Sequence, residues 1–438
     1  MALKTTSTPS AAVTSRSRRR VGATATLAAL GLAVAGCASG GGPGDLAAAE
    51  VRADIEFIGV GTGLDGLALE RSTAMSRLGA GLVASTPGEN LVVSPVSILL
   101  AFAMLREGAS GETAAELDAM FAFDPAEPGA AIAELRARLA AHDGDVSAVD
   151  RENPPAEPLL HVADALFAAS DAPITAEFLE RVARFHDAGV FEADFAGRKA
   201  KPLLDAWVDR ETGGLIEEAP SDPDPETRLT LLNAVVLAAR WQSPFAPSVT
   251  SEERFTRADG SSVMVDTMVN LAPRRFAQGE GWQAVEVPYT SELAMIIALP
   301  DEGAGPLTAA QWDDVRAAIA AQDEPTQVVL WLPRWETDTV IDLAEALPAL
   351  GLERVFSWTG ELDGVFRDAF VSGAAHAATI TVAEKGTVAA AVTQIDAEAG
   401  SAPVIEVELH VDRPFDFQIV TNGDTVPVFV GRVADPSS

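Results

Sequence analysis

The sequence predicts an α+β protein whose main body is one large domain. Segments with helical spacing of apolar residues dominate the first part of the body, and strand-like segments dominate the later part. The two kinds of segment do not alternate as β-α-β units, and no repeat of fixed period is present, which favours an α+β architecture. With 438 residues, 48% of them apolar, the chain can bury a substantial core.

Composition excludes several classes of protein. The chain has 64 acidic and 31 basic residues and a formal net charge of −33. Such a charge argues against nucleic acid as a partner, because each phosphate contact would be made against the protein's own field. The high apolar content excludes a disordered acidic tail. The single cysteine, Cys37, excludes both a disulfide framework and a thiolate metal cage.

The start of the chain has the pattern of an export signal. Basic residues within 16–20 precede an apolar run over 21–35, which is shorter than the roughly 20 residues that span a bilayer. The run ends in Leu-Ala-Val-Ala-Gly-Cys, which resembles a lipobox, a motif that is cleaved before its cysteine and lipidated on the thiol. We therefore expect a lipoprotein signal peptide over residues 1–36 and a lipidated Cys37.

A glycine-rich segment follows the cysteine, so we expect residues 37–66 to form a lipidated N-terminus and flexible tether. The protein is then exported and anchored to the membrane through Cys37, on the cell surface or the periplasmic side. The alternative is a non-lipidated signal peptide with an incidental cysteine. Both the general secretory route and the twin-arginine route remain open.

Helix and strand patterns account for the first elements of the body. Apolar residues at helical spacing, or a short apolar run, decide each assignment. A serine followed by proline opens the second helix, since proline is favoured in a first turn, and a Thr-x-x-Gln capping box opens the third. The predicted elements are a helix over 67–85, a strand over 91–93, a helix from Ser94-Pro95 through Leu105 and a helix from Thr308 through Ile319.

Strand patterns dominate the rest of the chain. Each is a short run of β-branched and other apolar residues bounded by turn residues. Asn422-Gly423 lies between two such runs and suits a two-residue hairpin turn, because both residues tolerate positive φ. Residues 143–158 and 219–226 are predicted as surface loops. The predicted strands cover 229–237, 284–287, 294–299, 328–332, 404–411 and 415–433.

A search for catalytic or metal-binding motifs finds no enzyme signature. The chain has no glycine loop ending in Lys-Ser/Thr, no His-Glu-x-x-His and no Gly-x-Ser-x-Gly. Its five histidines are scattered singly, without metal-ligand spacing. We therefore expect neither an enzyme nor a metal or cofactor site. The histidines are His142, His161, His186, His376 and His410.

The segment 384–393 is unusual on physical grounds. It follows a β-rich stretch over 379–382, yet its side chains are nearly all small. As a strand it could enter a sheet between two existing strands with little side-chain bulk; the alternative is an alanine-rich helix. The residues that follow, 394–402, are predicted as an exposed loop. One face of such a strand would consist of Thr387, Ala389, Ala391 and Thr393.

The sequence Glu-Lys-Gly-Thr-Val-Ala-Ala-Ala-Val-Thr over 384–393 resembles the reactive-loop hinge of inhibitory serpins nearly letter for letter. Other segments resemble serpin blocks in the same order, so the resemblance covers roughly residues 67–435 and implies a serpin domain over 67–438. Asp164 and Asp205 depart from the family, which usually has asparagine at both positions. The matching blocks are 90–98, 108–113, 207–216, Leu232-Asn233-Ala234 with Trp241, 287–289, 299–300, 412–415 and 429–433.

The resemblance implies a serpin fold, with large mixed sheets, surrounding helices and an exposed reactive-centre loop. In this family a target serine or cysteine protease cuts the loop and forms an acyl-enzyme. The cut loop then inserts into the main sheet as a new strand and carries the bound protease to the opposite pole. The implied function is a monomeric suicide inhibitor, and the implied partner is a serine protease held in a covalent complex.

The resemblance also assigns roles to individual residues. Trp241 would lie at the breach, where insertion starts. The shutter, where the sheet must part, would consist of Ser94, Ser97, Asn233 and His376. The hinge would consist of Glu384, Lys385, Gly386, Thr387, Ala389, Ala390, Ala391 and Thr393. The candidates for the scissile bond are Glu398, Ala399, Gly400, Ser401 and Ala402.

Loop composition narrows the target. Small residues near position 400 suit proteases with shallow primary pockets, elastase-like or subtilisin-like. No Arg or Lys lies between Lys385 and Arg413, which argues against a trypsin-like target, and Glu398 leaves a glutamyl-specific protease open. One alternative function is a non-inhibitory serpin-fold binding protein on the cell surface. Another is a lipoprotein solute receptor, for which the sequence lacks two alternating α/β lobes.

Overall fold

The chain divides into two units, Met1–Gly40 and Gly41–Ser438. The first unit, which contains Cys37 and the predicted signal peptide, lies outside the residues that the structure describes, as does much of the predicted tether. Over the part of the chain that is described, no helix is long and apolar enough to cross a membrane. The structure, a computed structural model, describes residues 49–58, 68–150, 153–387, 405–421 and 426–438.

The helix that follows the first core strand shows how the sequence sets the start of an element. The Ser94 hydroxyl accepts a hydrogen bond from the Ser97 N–H (3.2 Å), and Pro95 occupies the first turn, where no backbone donor is needed. Its residues from Pro95 to Leu105 are buried, so this helix passes through the core. The helices are α1 (Ala68–Ser85), α2 (Pro95–Arg106), α3 (Gly111–Phe121), α4 (Pro128–Leu139), α5 (Ala176–His186), α6 (Ala200–Glu211), α7 (Ala309–Ala320) and α8 (Leu343–Ala346).

The strands vary from two to thirteen residues in length. The longer strands contribute most of the buried residues. The two shortest lie at the edge of a sheet (β1) or between two longer strands (β14). The strands are β1 (Glu50–Val51), β2 (Leu91–Val93), β3 (Leu159–Ala169), β4 (Val190–Ala193), β5 (Leu229–Arg240), β6 (Ser251–Thr256), β7 (Ser262–Arg274), β8 (Phe276–Gly279), β9 (Trp282–Pro288), β10 (Leu293–Pro300), β11 (Thr326–Pro333), β12 (Trp335–Asp342), β13 (Gly373–Ala383), β14 (Gly386–Thr387), β15 (Val407–His410), β16 (Phe415–Thr421) and β17 (Pro427–Val433).

The described strands form three sheets. Sheet A has the order β1-β4-β3-β5-β14-β13-β12 and mixes parallel and antiparallel pairs. Sheet B has the order β2-β17-β16-β10-β9-β8, and sheet C has the order β15-β11-β7-β6. Helices and mixed sheets in one body confirm the predicted α+β class.

Sheet A is covered on both faces at its centre. Residues of β5 are buried from Leu229 to Ala239, which explains why this strand has a continuous apolar sequence. Val235 packs in the main core, which includes α2. Ala234, on the opposite face, packs in a second cluster with Trp207 of α6. Any strand added beside β5 would therefore be buried on both faces.

Several predicted elements are confirmed. Helices α1, α2 and α7 and strand β2 begin and end within one residue of the predicted bounds, and α7 has the predicted capping box between Thr308 and Gln311. The run 415–433 consists of two strands, β16 and β17, and the predicted turn residues 422–425 lie outside the described residues. The prediction missed β12, in which buried and exposed residues alternate, because most of its exposed side chains are acidic and two of its buried ones are threonines.

Candidate functional site

The predicted hinge begins inside sheet A. Gly386 and Thr387 form β14, which lies between β5 and β13 and is antiparallel to both. The resemblance assigns these residues to the hinge, and the structure buries both in the sheet. Two hinge residues are therefore already inserted in the uncut chain. The register pairs Gly386 with Arg240 and Ala383, and Thr387 with Ala239 and Val382.

Below this point β5 and β13 are direct neighbours. They pair in parallel, from Thr230 with Gly373 to Val236 with Thr379. Beyond Val236 and Thr379 the two strands separate, and β14 occupies the gap. We call the end of sheet A at β14 its upper end. The sheet is thus open at the upper end, where the hinge enters, and closed below it.

Close approach of backbones requires a glycine at the entrance. A Cβ at Gly386 would lie 2.0 Å from the Ala239 carbonyl oxygen and 2.8 Å from Arg240 Cα. Real Cβ atoms essentially never lie closer than 3.0 Å to such an atom. Gly386 is not among the glycines with positive φ. Glycine is therefore needed here because β5 leaves no room for a Cβ, and not because of the backbone conformation.

Trp241, predicted at the breach, holds the chain just before this entrance. Its backbone N–H donates to the Lys385 carbonyl (2.7 Å), and its indole Nε1–H donates to the Ala383 carbonyl (2.9 Å). The indole stacks on Tyr289 with ring centroids 4.4 Å apart. The Tyr289 hydroxyl in turn shares a 2.5 Å hydrogen bond with the Thr387 hydroxyl, and both side chains are buried.

Tyr289 has a role that the sequence reasoning did not assign. Burial raises the pKa of its phenol. The phenol therefore stays protonated and can donate a hydrogen bond to the Thr387 hydroxyl or accept one from it. Tyr289 is the only tyrosine in the chain. The presence of a single tyrosine is the one signal that the sequence offers. It does not reveal the contact, because Tyr289 and Thr387 are 98 residues apart.

An ion pair anchors the first residue of the hinge. Glu384 is 3% exposed, and the Arg334 Nε–H donates to both of its carboxylate oxygens at 2.9 Å, while the Thr250 hydroxyl donates at 2.6 Å. Burial alone would raise the pKa of Glu384, but the hydrogen bonds from Arg334 and Thr250 outweigh it and lower the pKa. The next residue, Lys385, donates from Nζ to the Asn153 side chain (3.3 Å). The carboxylate therefore stays charged and fixes the hinge to the β11–β12 connection.

The predicted shutter residues meet where sheet A is closed. Asn233 of β5 and His376 of β13 are directly paired, and His376 Nδ1 lies 2.5 Å from Asn233 Oδ1. The Ser94 N–H donates to His376 Nε2 (3.0 Å), and the Asn233 amide donates to the Ser97 carbonyl (3.1 Å) and hydroxyl. All four residues are buried. The network joins the start of α2 to both strands that must separate.

The partners of His376 determine its tautomer. Because Nε2 accepts the Ser94 N–H, the ring proton lies on Nδ1 and is donated to Asn233 Oδ1. Burial lowers the pKa of His376 to about 3, so the ring is neutral. The hydrogen bond between Asn233 and His376 is thus a neutral link that holds β5 against β13.

A buried carboxylate extends this network to a fourth element. Asp164 of β3, where the family usually has asparagine, accepts from the Asn233 amide (2.5 Å) and pairs with Arg136 of α4 (2.5 Å). Burial raises the pKa of Asp164, and the Arg136 charge opposes the shift. The sequence shows the substitution but not its consequence, which is an ion pair that ties α4 to sheet A.

The remaining predicted site residues lie outside the residues that the structure describes. Within the described parts of the chain, no group of three or more His, Cys, Asp or Glu side chains could hold a metal ion. The described site thus consists of the docked hinge, the breach and the shutter. The predicted residues outside the described residues are Cys37, Ala389, Ala390, Ala391, Thr393, Glu398, Ala399, Gly400, Ser401 and Ala402.

Comparison with known proteins gives one family over most of the chain. The family model described as Serpin (serine protease inhibitor) matches residues 72–436. Human neuroserpin is 29% identical over 376 residues, which cover 82% of this chain and 88% of that protein. Mouse neuroserpin is 30% identical over 369 residues, which cover 80% and 87%.

Solved structures share the fold. Native tengpin, a thermophilic serpin, superposes with a TM-score of 0.77 and 24% identity over 89% of this chain and 99% of that chain. Human thyroxine-binding globulin superposes with a TM-score of 0.70 and 23% identity over 84% and 99%. The predicted serpin fold is therefore confirmed. Most serpins inhibit proteases and are not enzymes, although some do not inhibit. This protein belongs to the serpin family.

Proposed function

We propose that this protein is a suicide inhibitor of serine proteases. The target's serine hydroxyl attacks a carbonyl in the loop that joins β14 to β15, the peptide bond breaks, and the new amine leaves with the downstream chain. The upstream end remains bound to the protease as an ester. It then inserts between β5 and β13 as a continuation of β14 and carries the protease along sheet A. A cysteine protease would form the corresponding thioester.

The docking of Gly386 and Thr387 in the uncut chain carries this proposal. They pair with both β5 and β13, so the first residues of an inserted strand already lie between these two strands at the upper end of sheet A. A longer strand needs only to extend downward as the two receiving strands separate. Residues 388–393 are valine, alanine and threonine. Their small side chains suit a strand position between β5 and β13, which is buried on both faces of sheet A.

Cleavage releases a restraint that the fold imposes on the loop. In the uncut chain one end of the loop is held by β14 in sheet A and the other by β15 in sheet C. After the cut, each inserted residue gains backbone partners, and each hydrogen bond contributes about 0.5–1.5 kcal/mol net. Burial of residues such as Val392 and Ile395 adds roughly 25 cal/mol per Å² of apolar surface.

The proposed targets are elastase-like or subtilisin-like proteases. Counting along the serpin pattern from Glu384 places Gly400 before the cut, and its neighbours are also small. Glu398 makes a glutamyl-specific protease a second class to test. The absence of Arg and Lys between Lys385 and Arg413 argues against trypsin-like enzymes.

A protease panel tests the proposal. The protein is incubated with elastase-like, subtilisin-like, trypsin-like and glutamyl-specific enzymes, and the products are separated on an SDS gel. We expect an SDS-stable complex with an elastase-like or subtilisin-like protease, and the mass of the released peptide locates the scissile bond. Loop cleavage by every enzyme without any stable complex would contradict the proposed inhibition.

A matched pair of variants links inhibition to the hinge. In Thr387→Arg the charged side chain would have to be buried without a partner, so insertion should fail and the variant should be cleaved as a substrate. Thr387→Ser keeps the hydroxyl that bonds Tyr289 and should still form the complex. Equal complex formation by both variants would refute the role given to the hinge.

The alternative is a non-inhibitory serpin-fold binding protein. Human thyroxine-binding globulin, which shares the fold, shows that serpins can serve as binding proteins. The small residues over 386–393 favour inhibition, because bulky or charged residues would be expected there in a serpin that does not insert its loop. The same panel separates the two functions, since a binding protein would form no covalent complex.

The sequence of the N-terminus supports a location at the membrane surface. We extend the proposal to an exported lipoprotein anchored through Cys37, which would place the inhibitor where extracellular proteases attack the cell. Labelling the expressing cells with a radioactive fatty acid tests the anchor. Wild-type protein should incorporate the label, and Cys37→Ser should not.

A further inference from the structure

We infer that His161 is a positioning residue for loop insertion, because as an imidazolium ion it holds the end of α6 on sheet A. Insertion has to break this contact, so insertion is slower in mild acid than in mild alkali. Because insertion is the step that His161 slows, the inference rests on the proposed function. The contact consists of one histidine and two carboxylates that belong to neither the hinge, the breach nor the shutter.

His161 lies beside the point where sheet A begins to open. On β3 it is directly opposite Val236 of β5. Val236 in turn pairs with Thr379 of β13, and this is the last pair of the closed part of the sheet. A strand that continues β14 downward must separate this pair before any other. A contact at His161 is therefore met at the start of insertion.

The side chain of His161 lies on the face of sheet A that α6 covers. Side chains alternate between the two faces of a strand, so His161 shares a face with Ala165 and Phe167. Both residues pack in the second cluster with Trp207 of α6. Glu211, the last residue of α6, lies within hydrogen-bond distance of His161. The histidine thus lies under the end of the helix.

Helix α6 covers the two strands that insertion drives apart. The cluster that contains Trp207 also contains Ala234 of β5 and both Ala375 and Ala377 of β13. Neighbouring strands lie about 4.8 Å apart, so an inserted strand moves β5 and β13 to roughly 9–10 Å. A rigid helix cannot keep its contacts with both strands at that separation. We therefore expect α6 to shift on sheet A as the new strand enters.

The ring of His161 lies between two carboxylates. Its Nδ1 is 2.7 Å from Asp143 Oδ1, and its Nε2 is 3.1 Å from Glu211 Oε2. An ionised carboxylate only accepts hydrogen bonds, and a neutral imidazole has a single N–H, so only the imidazolium ion can donate to both. Asp143 lies between α4 and β3. The charged ring therefore joins the end of α6 to β3 and to the segment after α4.

The surroundings of the ring favour its charged form. The hydrogen bond with Glu211 outweighs partial burial and, together with Asp143, raises the pKa of His161. Burial would raise the pKa of Glu211, but the hydrogen bonds from His161 and Arg210 outweigh it and lower the pKa. The charged groups that face the ring are thus Asp143 after α4 and Glu211 with Arg210 at the end of α6. Its neighbour on β5, Val236, is apolar.

The direction of the pH dependence follows from the raised pKa of His161. Below about pH 6.5, where a histidine in an unfolded chain ionises, the ring is charged in both states and the contact has its full strength. As the pH rises through the higher pKa of the folded protein, the ring loses a proton. One ring nitrogen then presents a lone pair to a carboxylate. The hold on α6 weakens, and insertion should become faster.

Three variants test the effect on insertion. His161→Gln removes the titrating ring, and His161→Lys keeps a positive charge between about pH 6 and about pH 9. His142→Gln is the matched control, because within the described residues the side chain of His142 makes no hydrogen bond. Each protein is mixed with the protease that forms the SDS-stable complex. The limiting rate of inactivation and the fraction of inhibitor cleaved without forming a complex are measured relative to wild type at each pH, which cancels the pH dependence of the protease.

At about pH 6, His161→Gln should inactivate the protease roughly two- to fivefold faster than wild type, or lose correspondingly less inhibitor to plain cleavage. The two proteins should converge at about pH 9. His161→Lys should match wild type at about pH 6 and be the slower of the two at about pH 9. His142→Gln should match wild type throughout. A ratio of His161→Gln to wild type that is the same at every pH would overturn the inference.

Hydrogen exchange in the uncut protein tests the contact without a protease. At about pH 6 the backbone amides of residues 208–212 should exchange several-fold faster in His161→Gln than in wild type, and at about pH 9 the two rates should agree. Equal exchange at about pH 6 would refute the hold on α6. A protein that shows this difference but forms no covalent complex with any protease would instead refute the proposed function, and with it the slowing of insertion. The two failures are therefore distinguishable.

Discussion

His376 is neutral because nothing beside it can stabilise a second ring proton. Its two ring nitrogens are already occupied, Nε2 by the Ser94 N–H and Nδ1 by the Asn233 carbonyl, so protonation would break the contact with Ser94. A second buried histidine, His186, behaves similarly, since burial lowers its pKa in spite of its contact with Glu107. Burial of neutral histidines makes the uncut fold sensitive to acid.

This environment predicts how stability depends on pH. Burial lowers the pKa of His376 to about 3, whereas a histidine in an unfolded chain ionises near 6.5. Between these values the unfolded chain takes up a proton that the folded protein refuses. The free energy of unfolding should therefore fall as the pH is lowered through this range, by up to about 1.4 kcal/mol per pH unit for this residue.

Denaturant unfolding at a series of pH values from 7 to 4 measures the effect. His376→Gln removes the titrating ring and should flatten the dependence on pH, even though it lowers stability at pH 7. The difference in slope between wild type and variant isolates His376 from His186 and from the carboxylates. An unchanged slope would show that His376 does not titrate as its burial implies.

At the scale of the element, β14 depends on one glycine. A Cβ at position 386 would lie 2.0 Å from the Ala239 carbonyl oxygen, so Gly386→Ala should expel the hinge from sheet A. The Lys385–386 peptide bond would then be open to trypsin, which requires an extended and accessible segment. Trypsin should cut the variant after Lys385 at least several-fold faster than wild type, and the fragment masses identify the bond.

Gly88→Ala is the matched control for this experiment. Gly88 has no atom within 4 Å of an added Cβ and does not have positive φ, so the substitution adds the same methyl group without a clash. It should leave cleavage after Lys385 at the wild-type rate. If Gly386→Ala were equally resistant to trypsin, the hinge would not depend on close approach to β5.

At the scale of the whole molecule, the proposed inhibition requires the uncut chain to be a trapped state. The closed part of sheet A, from the pair Thr230–Gly373 to the pair Val236–Thr379, must open to receive a longer strand. Opening breaks the bond between Asn233 and His376 and strains the contacts of Asp164 with Asn233. The proposed function requires the strand gained after cleavage to more than compensate for these losses. In that proposal the lower-energy arrangement is reached only when the loop is no longer held at both ends, by β14 in sheet A and by β15 in sheet C.

A single cut near position 400 should therefore stabilise the protein. The melting midpoint of loop-cleaved protein should lie well above that of the uncut chain, although most single cuts weaken a fold. Thr387→Arg cut at the same bond provides the control, since it cannot insert and should gain no heat resistance. Calorimetry or circular dichroism on the four samples gives the comparison. A cleaved wild type that melts with the uncut chain would contradict the trapped state.

Local signals explain what the sequence predicted well. The α7 capping box needs only Thr308 and Gln311, which are three residues apart, and both its hydrogen bonds are present. The start of α2 likewise depends on Ser94 and Pro95. The hinge residues could be named from the sequence because their small side chains form an uninterrupted pattern.

Contacts between distant residues explain what it missed. The partners of the hinge, Tyr289 and Arg334, are 98 and 50 residues from Thr387 and Glu384. Asp164 was visible as an unusual residue, but its pairing with Arg136 depends on how α4 packs on β3. No local pattern encodes these distances.

The amino-acid sequence by itself determined the family, the α+β class and a segment able to become a strand. Only the tertiary structure decided how far that segment enters the sheet before cleavage. The reason is physical: small residues permit insertion, but the depth depends on where β5 and β13 separate. That point is set by the glycine contact above it and by the polar network below it, which form only when the whole chain is folded.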